Sequence, residues 1–270
     1  MEAPDGDSQH CMRAEIRRWL CANIKSGSLR VKHSLKIQPP VPLSGVIAVV
    51  GCDGSGKSTL TADLLAHFQK EGPCERVYLG QSSGNIATWI KGLPVVGVPV
   101  GRYLARKAER THARKTAAPD IPAALVIYLL SQWRAHKFRR MLKLARSGVT
   151  VITDRYPQAE LSSFHFDGAG LVGADTGGWL VRGLGARERS LYQWMAHHVP
   201  ALVIRLNIDA DTAHSRKPDH KLSTLQSKAV VIPALNFNGA HVLDLDGRDP
   251  YPDVLNAAIE ATRAALATAR

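Results

Sequence analysis

Nine consecutive residues, Gly51-Cys52-Asp53-Gly54-Ser55-Gly56-Lys57-Ser58-Thr59, carry the strongest chemical pattern in this 270-residue sequence, fitting GxxxxGK[ST]. Glycines at 51, 54 and 56 allow backbone conformations and close approaches that a Cβ would obstruct. They turn successive N–H groups toward a phosphate at a helix amino terminus. In such a cradle Lys57 neutralises β and γ phosphates and the Ser58 hydroxyl ligates Mg²⁺. Gly51, Asp53, Gly54, Ser55, Gly56, Lys57, Ser58 and Thr59 are therefore candidate nucleotide-binding residues. A tight strand-to-helix connection is the plainer alternative, but it needs neither the lysine nor the hydroxyl. Asp53 is the odd member. An acid in a loop built for polyphosphate costs repulsion unless it points toward a second ligand or serves as a turn former.

A second acid stands about one hundred residues further on, where Val149-Thr150-Val151-Ile152-Thr153-Asp154-Arg155-Tyr156 ends an apolar run with an acid and a base side by side. Ligands of open α/β sheets bind at such carboxyl ends of strands. There Asp154 would hold a Mg²⁺ water or orient an attacking group, and Arg155 would clamp an acceptor phosphate. A loop cap with a neighbouring ion pair is the alternative.

The elements that must position these residues follow from periodicity. Five short β-branched runs, Val46–Val50, Arg76–Leu79, Val149–Thr153, Ala201–Leu206 and His241–Leu245, read as buried strands. Between them Lys57–Gln69, Ile121–Arg146, Arg187–His197 and Tyr251–Thr268 read as helices. This alternation predicts an α/β fold with a five-stranded, parallel, doubly wound sheet. Pro39, Pro40 and Pro42 can continue neither a helix nor a central strand, so residues 1–42 are expected to be a basic extension and 43–270 the main domain. A short amphipathic helix is expected within 14–24.

Composition narrows the setting. Apolar residues at 45% and charged residues at 21% exclude wholesale disorder and coiled coil. Thirty-five Lys and Arg against 23 Asp and Glu give a net charge of +12, so an acidic partner is expected. The four cysteines (11, 21, 52 and 74) form no CxxC pair and no disulfide framework, and Cys52 in the phosphate loop reads as a small packed residue, with an oxidation-sensitive thiol as the alternative. No apolar run approaches the roughly 18 residues of a membrane span. A cytoplasmic location is the expectation. The histidines show no metal-ligand spacing, and His197-His198 reads as a helix-end pair.

GCDGSGKST followed by VITDRYP resembles the thymidylate kinase-like branch of the P-loop nucleoside monophosphate kinases, whose loop reads GxDGxGKST and whose third strand ends in DRY. The similarity covers most of residues 44–268 and implies a P-loop NTPase fold with a lid near 212–228. It implies ATP and Mg²⁺, with Lys57, Asp154 and Arg216 as catalytic residues and Ser58 and Asp154 at the metal. Asp53, Arg134 and Arg155 would serve the acceptor, and Arg216 with Lys217 would close over the transferring phosphoryl group.

The chain departs from that pattern in two places. Leu130 stands one helical turn before Arg134, where the family places the aromatic that stacks on thymine. Leu79-Gly80-Gln81-Ser82-Ser83-Gly84-Asn85 carries no further acceptor arginine. YLG, DRYPQ, Asp167-Gly168 and Arg216-Lys217-Pro218-Asp219-His220 look more like the thymidylate kinase-like proteins of bacterial surface-polysaccharide gene clusters. The expected partners are ATP and a phosphorylated small-molecule acceptor. Lys91–Lys115, with seven bases and one acid, and Arg134–Arg146, with six bases and no acid, leave open a peripheral contact with an anionic membrane. A solvated face is the more ordinary explanation of such charge. A second copy of the chain stays open as a partner and nucleic acid is disfavoured; the competing function is a nucleotide-switched binding module on a membrane or nucleic acid.

Overall fold

A central strand buried on both faces must be apolar at every position, and Val46–Val50 meets that demand along its whole length. A computed structural model describes residues 39–80, 118–163 and 166–268. Residues 1–38 of the expected extension, its helix and the basic segment 91–115 lie outside the described residues, whereas Val41 and Pro42, expected in the extension, already belong to the first strand. The chain divides into Met1–Pro39 and Pro40–Arg270, and the second unit holds every element named below.

In chain order these are β1 (Val41–Gly51), α1 (Lys57–Phe68), β2 (Cys74–Tyr78), α2 (Ile121–Arg146), β3 (Thr150–Asp154), α3 (Trp179–Ala196), β4 (His198–Asn207), α4 (Ala210–Arg216), α5 (Leu222–Val231), β5 (Val242–Asp246) and α6 (Tyr251–Thr268). The strands form one parallel sheet in the order β2-β3-β1-β4-β5. The chain winds away from β1 on one side and returns to fill the other, so β1 lies between β3 and β4 and their carboxyl ends open into one crevice. Helices flank both faces, α4 and α5 form the lid region, and the architecture is that of a P-loop NTPase-like α/β fold.

Alternation along β1 divides the core. Val46, Ala48 and Val50 face a cluster with Phe138, Met141, Tyr156, Tyr192 and Met195, which belongs to the α2 and α3 side. Ile47 and Val49 face Leu60, Leu64, Phe68, Val254 and Ala258 on the α1 and α6 side. The strand starts earlier than its apolar run predicts. Val41–Leu43 pair with β4 alone, whereas β3 joins only from Val46, so Pro42 sits where its missing N–H breaks no second ladder.

At 26 residues α2 spans about 39 Å. Asp120 caps its first turn by accepting from the Ala123 N–H at 3.1 Å, and left-handed Gly148 follows its end. The sheet-facing helix α3 begins eight residues before the expected Arg187. Gly183 and Gly185 look like breakers in sequence, yet a Cβ on Gly185 would stand 2.5 Å from the Ala174 Cβ. That glycine serves close packing within a continuing helix.

Candidate active site

The cradle is built where β1 runs into α1. Gly54 and Gly56 hold left-handed φ values of 87° and 93°, and Gly56 is the cap residue from which α1 starts. A Cβ on Gly51 would stand 2.6 Å from the Leu206 carbonyl oxygen and 2.7 Å from Ser55 Oγ, so only glycine lets β1 turn against β4 here. Ser55 is buried and its Oγ has no hydrogen-bond partner among the described residues. Lys57 is also buried and donates from Nζ to the Cys52 carbonyl of its own loop. Burial, reinforced by Arg155, pushes its ammonium down to about 8 against the opposing pull of Asp53 and Asp154. Ser58 and Thr59 remain exposed at the mouth.

The end of β3 meets this cradle directly. Asp154 pairs with Val49 across the β1 ladder, and its Oδ2 accepts from Ser58 Oγ at 3.0 Å. Buried Tyr156 anchors the following turn, packing edge-on to Phe138 and donating to the His198 carbonyl at 2.7 Å. Between them Arg155 adopts φ 71°, an uncommon conformation for a side chain with a Cβ, and donates its backbone N–H to the Val49 carbonyl at 2.9 Å.

From Arg155 an alternating line of charges crosses the site. Its Nη2 lies 2.7 Å from Asp53 Oδ1 and its Nη1 lies 3.5 Å from Asp167 Oδ2. Asp167 in turn accepts from Arg134, whose Nη2 is 3.0 Å from its Oδ1 and whose Nη1 is 3.1 Å from its backbone carbonyl. At the other end Lys228 of α5 donates to Asp53 Oδ2, with His220 Nδ1 3.7 Å from the same oxygen. Burial alone would raise the Asp53 carboxyl, but Lys228 and Arg155 outweigh it and hold the group well below the usual carboxylate range. Asp167 foremost, then Asp53, keep Arg155 firmly protonated.

The residues expected from sequence thus fall into two arrangements. Asp53, Asp154 and Arg155 gather at the phosphate loop. Arg134 is wholly buried and reaches the site through Asp167. Arg216 crosses from α4 to the loop, 3.0 Å from the Gly247 carbonyl and 3.4 Å from that of Gly54, and Lys217 runs beside Gly54. Cys52 is packed with Ile208, Ala213, Leu225 and Ile232 beneath α5, and burial followed by the Asp53 charge pushes its thiol up.

Asp167, Lys228, His220 and Lys137 complete the site without having been singled out for a role. Lys137 donates to the Gly80 carbonyl and lies over the Tyr78 ring at 5.1 Å, and burial with the nearby Arg134 pushes it down to about 8. Asp167-Gly168 was legible only as part of a pattern. A Cβ on Gly168 would fall 2.0 Å from the Leu161 carbonyl oxygen, which is why the tight turn presenting Asp167 ends in glycine. Buried Glu188 of α3 secures that turn by accepting from Ser131 Oγ and from the N–H groups of Gly170 and Leu171, at 3.0 and 2.8 Å.

Among the described residues no group of three or more His, Cys, Asp and Glu is arranged to hold a metal ion by itself. A divalent ion here would take oxygens from Ser58 and Asp154 and the rest from water and phosphate, a coordination that suits Mg²⁺.

A parallel sheet in this order, a glycine cradle leading into a helix and an acid on the adjacent strand define a P-loop NTPase-like protein. No protein-family model matches the chain. It is 54% identical over 221 residues to the uncharacterized ATP-binding protein YghS of Escherichia coli K12, covering 82% of this chain and 93% of the relative. To YghR of the same organism it is 47% identical over 229 residues, covering 85% and 91%. The chain belongs to the family of these two bacterial proteins. A more distant similarity, 27% over 233 residues, links it to a thymidylate kinase of Chlamydia felis, covering 80% of this chain and 95% of that enzyme.

Proposed function

We propose that the protein binds Mg·ATP and transfers its terminal phosphoryl group to a phosphorylated small molecule, a nucleoside monophosphate or a related compound. The observation that carries this reading is the junction at Asp53, Ser58, Asp154 and Arg155. The phosphate loop and the cationic acceptor face meet there with hydrogen bonds of 3.0 and 2.7 Å between them. The names of the ATP-binding relatives and of the thymidylate kinase support the donor and the reaction class respectively.

The chain's own groups suit such a transfer. The unpartnered Ser55 hydroxyl and the open space beside Gly56 fit a phosphate. Lys57, released from the Cys52 carbonyl, would bond a phosphate oxygen, which would also favour its protonated form. Magnesium, held by Ser58 and Asp154, supplies neutralisation of the β and γ oxygens when bound. Arg155 would hold the acceptor's own phosphate, and Arg216 would leave the Gly247 carbonyl for the phosphoryl group in flight. Because both reactants are anionic, most of the rate gain comes from positioning and from preorganised positive charge.

The test is turnover by purified full-length protein with Mg·ATP against a panel of nucleotides and sugar phosphates. Transfer to at least one acceptor is expected, with Lys57→Ala lowering kcat by at least about 100-fold, the loss typical of a transition-state charge contact. Tight Mg·ATP binding without transfer to any acceptor would overturn the kinase reading.

A further inference from the structure

The charge around the acceptor face does not balance. Lys137, Arg134, Arg155 and Lys228 stand in one connected group with only Asp167 and Asp53 between them. The pair Lys57 and Asp154 beside them cancels, so among the described residues of this group two positive charges are in excess. Lys137 is held below its ordinary range by burial first and by Arg134 second. Both oxygens of Asp53 are engaged by cations, Arg155 on one and Lys228 on the other, with the His220 ring 3.7 Å from the second. A sugar hydroxyl could bond this carboxylate only by sharing it with two salt bridges. Asp53 is therefore placed as an internal counter-ion that holds Arg155 and Lys228 side by side.

Lys228 is the informative member. It lies on α5, where Leu225 one turn earlier packs against Cys52, and its own side chain is only 9% exposed. A lysine is rarely buried unless its charge is paired, and Asp53 is the partner that keeps this one at the site. Resting on the proposed acceptor face, we infer that Lys228 is a specificity-determining residue: with Arg155 it forms an anion subsite that prefers a dianion, the charge of a phosphomonoester, over a monoanion. An anion held by both groups would join α5 to the end of β3, so the same contact would settle the lid region when the acceptor arrives.

The test uses full-length protein with the phosphate loop filled by magnesium and a non-hydrolysable ATP analogue. Affinities for sulfate, a dianion, and formate, a monoanion, are measured by calorimetry. Wild type is expected to prefer sulfate. Lys228→Met should reduce the sulfate-to-formate ratio at least about tenfold while leaving analogue affinity within twofold, and Lys228→Arg should restore the ratio. Because Lys228→Met strips a cation from Asp53, the double variant Asp53→Asn with Lys228→Met, which leaves no uncompensated acid, serves if the single variant does not fold. An unchanged ratio in whichever variant folds overturns the inference and makes Lys228 a purely structural partner of Asp53. Failure of the analogue to bind wild type would instead strike the proposed function, since the loop itself would then be at fault.

Discussion

Asp167→Ala is the perturbation that most directly probes how the site is held. It removes a carboxylate shared by two guanidinium groups, one of them the wholly buried Arg134. Breaking a buried pair from one side typically costs about 3–5 kcal/mol. Here the backbone carbonyl of residue 167 still accepts from Arg134 Nη1, and the Asp167 side chain is itself 20% exposed, so the expected loss lies at the lower end, about 3 kcal/mol. For a folded unit of this size that lowers Tm by roughly 6–12 °C. Calorimetry and denaturant midpoints on wild type, Asp167→Ala, Arg134→Met and the double variant complete the cycle. The double variant should recover most of the loss, because the stranded charge rather than the missing contact carries the cost. A fall of less than about 1 kcal/mol in Asp167→Ala, or a double variant as unstable as the two singles combined, would refute the idea that Arg134 depends on Asp167.

Two further outcomes follow from groups beside this pair. Lys137 has a folded pKa of about 8 against an ordinary 10.5, so between those values the unfolded chain binds more protons and stability rises with pH. The penalty is fully present below about 8 and fades toward 10.5. Lys137→Met should therefore gain on wild type at pH 7 and lose that advantage by pH 10, and parallel denaturation midpoints at the two pH values would contradict this. Glu188→Ala strands the Gly170 and Leu171 N–H groups, at a cost on the order of 3 kcal/mol, while Glu188→Gln costs less. Hydrogen exchange at Gly170 and Leu171 should accelerate in the alanine variant and stay near wild type in the glutamine one.

The central strands, the long helix and the phosphate loop could be read from the chain because each depends on local pattern. Val46–Val50 is apolar throughout, Ile121–Arg146 has a cap at one end and a glycine beyond the other, and Gly51–Thr59 concentrates its chemistry in nine residues. The cationic face proposed for an acceptor resisted because its members come from five separate segments. Nothing near Lys228 distinguishes it from the solvated lysines of other helices; only the fold reveals that Leu225 turns its side of α5 inward. Arg134 illustrates the same limit. Its position on α2 follows from spacing, but whether it touches a ligand or an intervening carboxylate depends on where the 166–173 turn lies. The basic run Arg134–Arg146 looks like one cationic face, yet Arg134 and Arg140 pair with Asp167 and Glu75, Lys137 bonds Gly80 and Arg139 covers Trp194. Charge in sequence does not tell how much of it the protein spends on itself.

The left-handed backbone at Arg155 sets fold and chemistry against each other. A residue with a Cβ pays about 1 kcal/mol for that conformation, a cost glycine escapes. If Arg155 became glycine, Asp53 would keep Lys228 and Asp167 would keep Arg134, so neither acid would be abandoned. Glycine there would trade that strain for the loss of both Arg155 ion pairs, so the left-handed turn persists because the guanidinium ties the loop acid to the 166–173 turn.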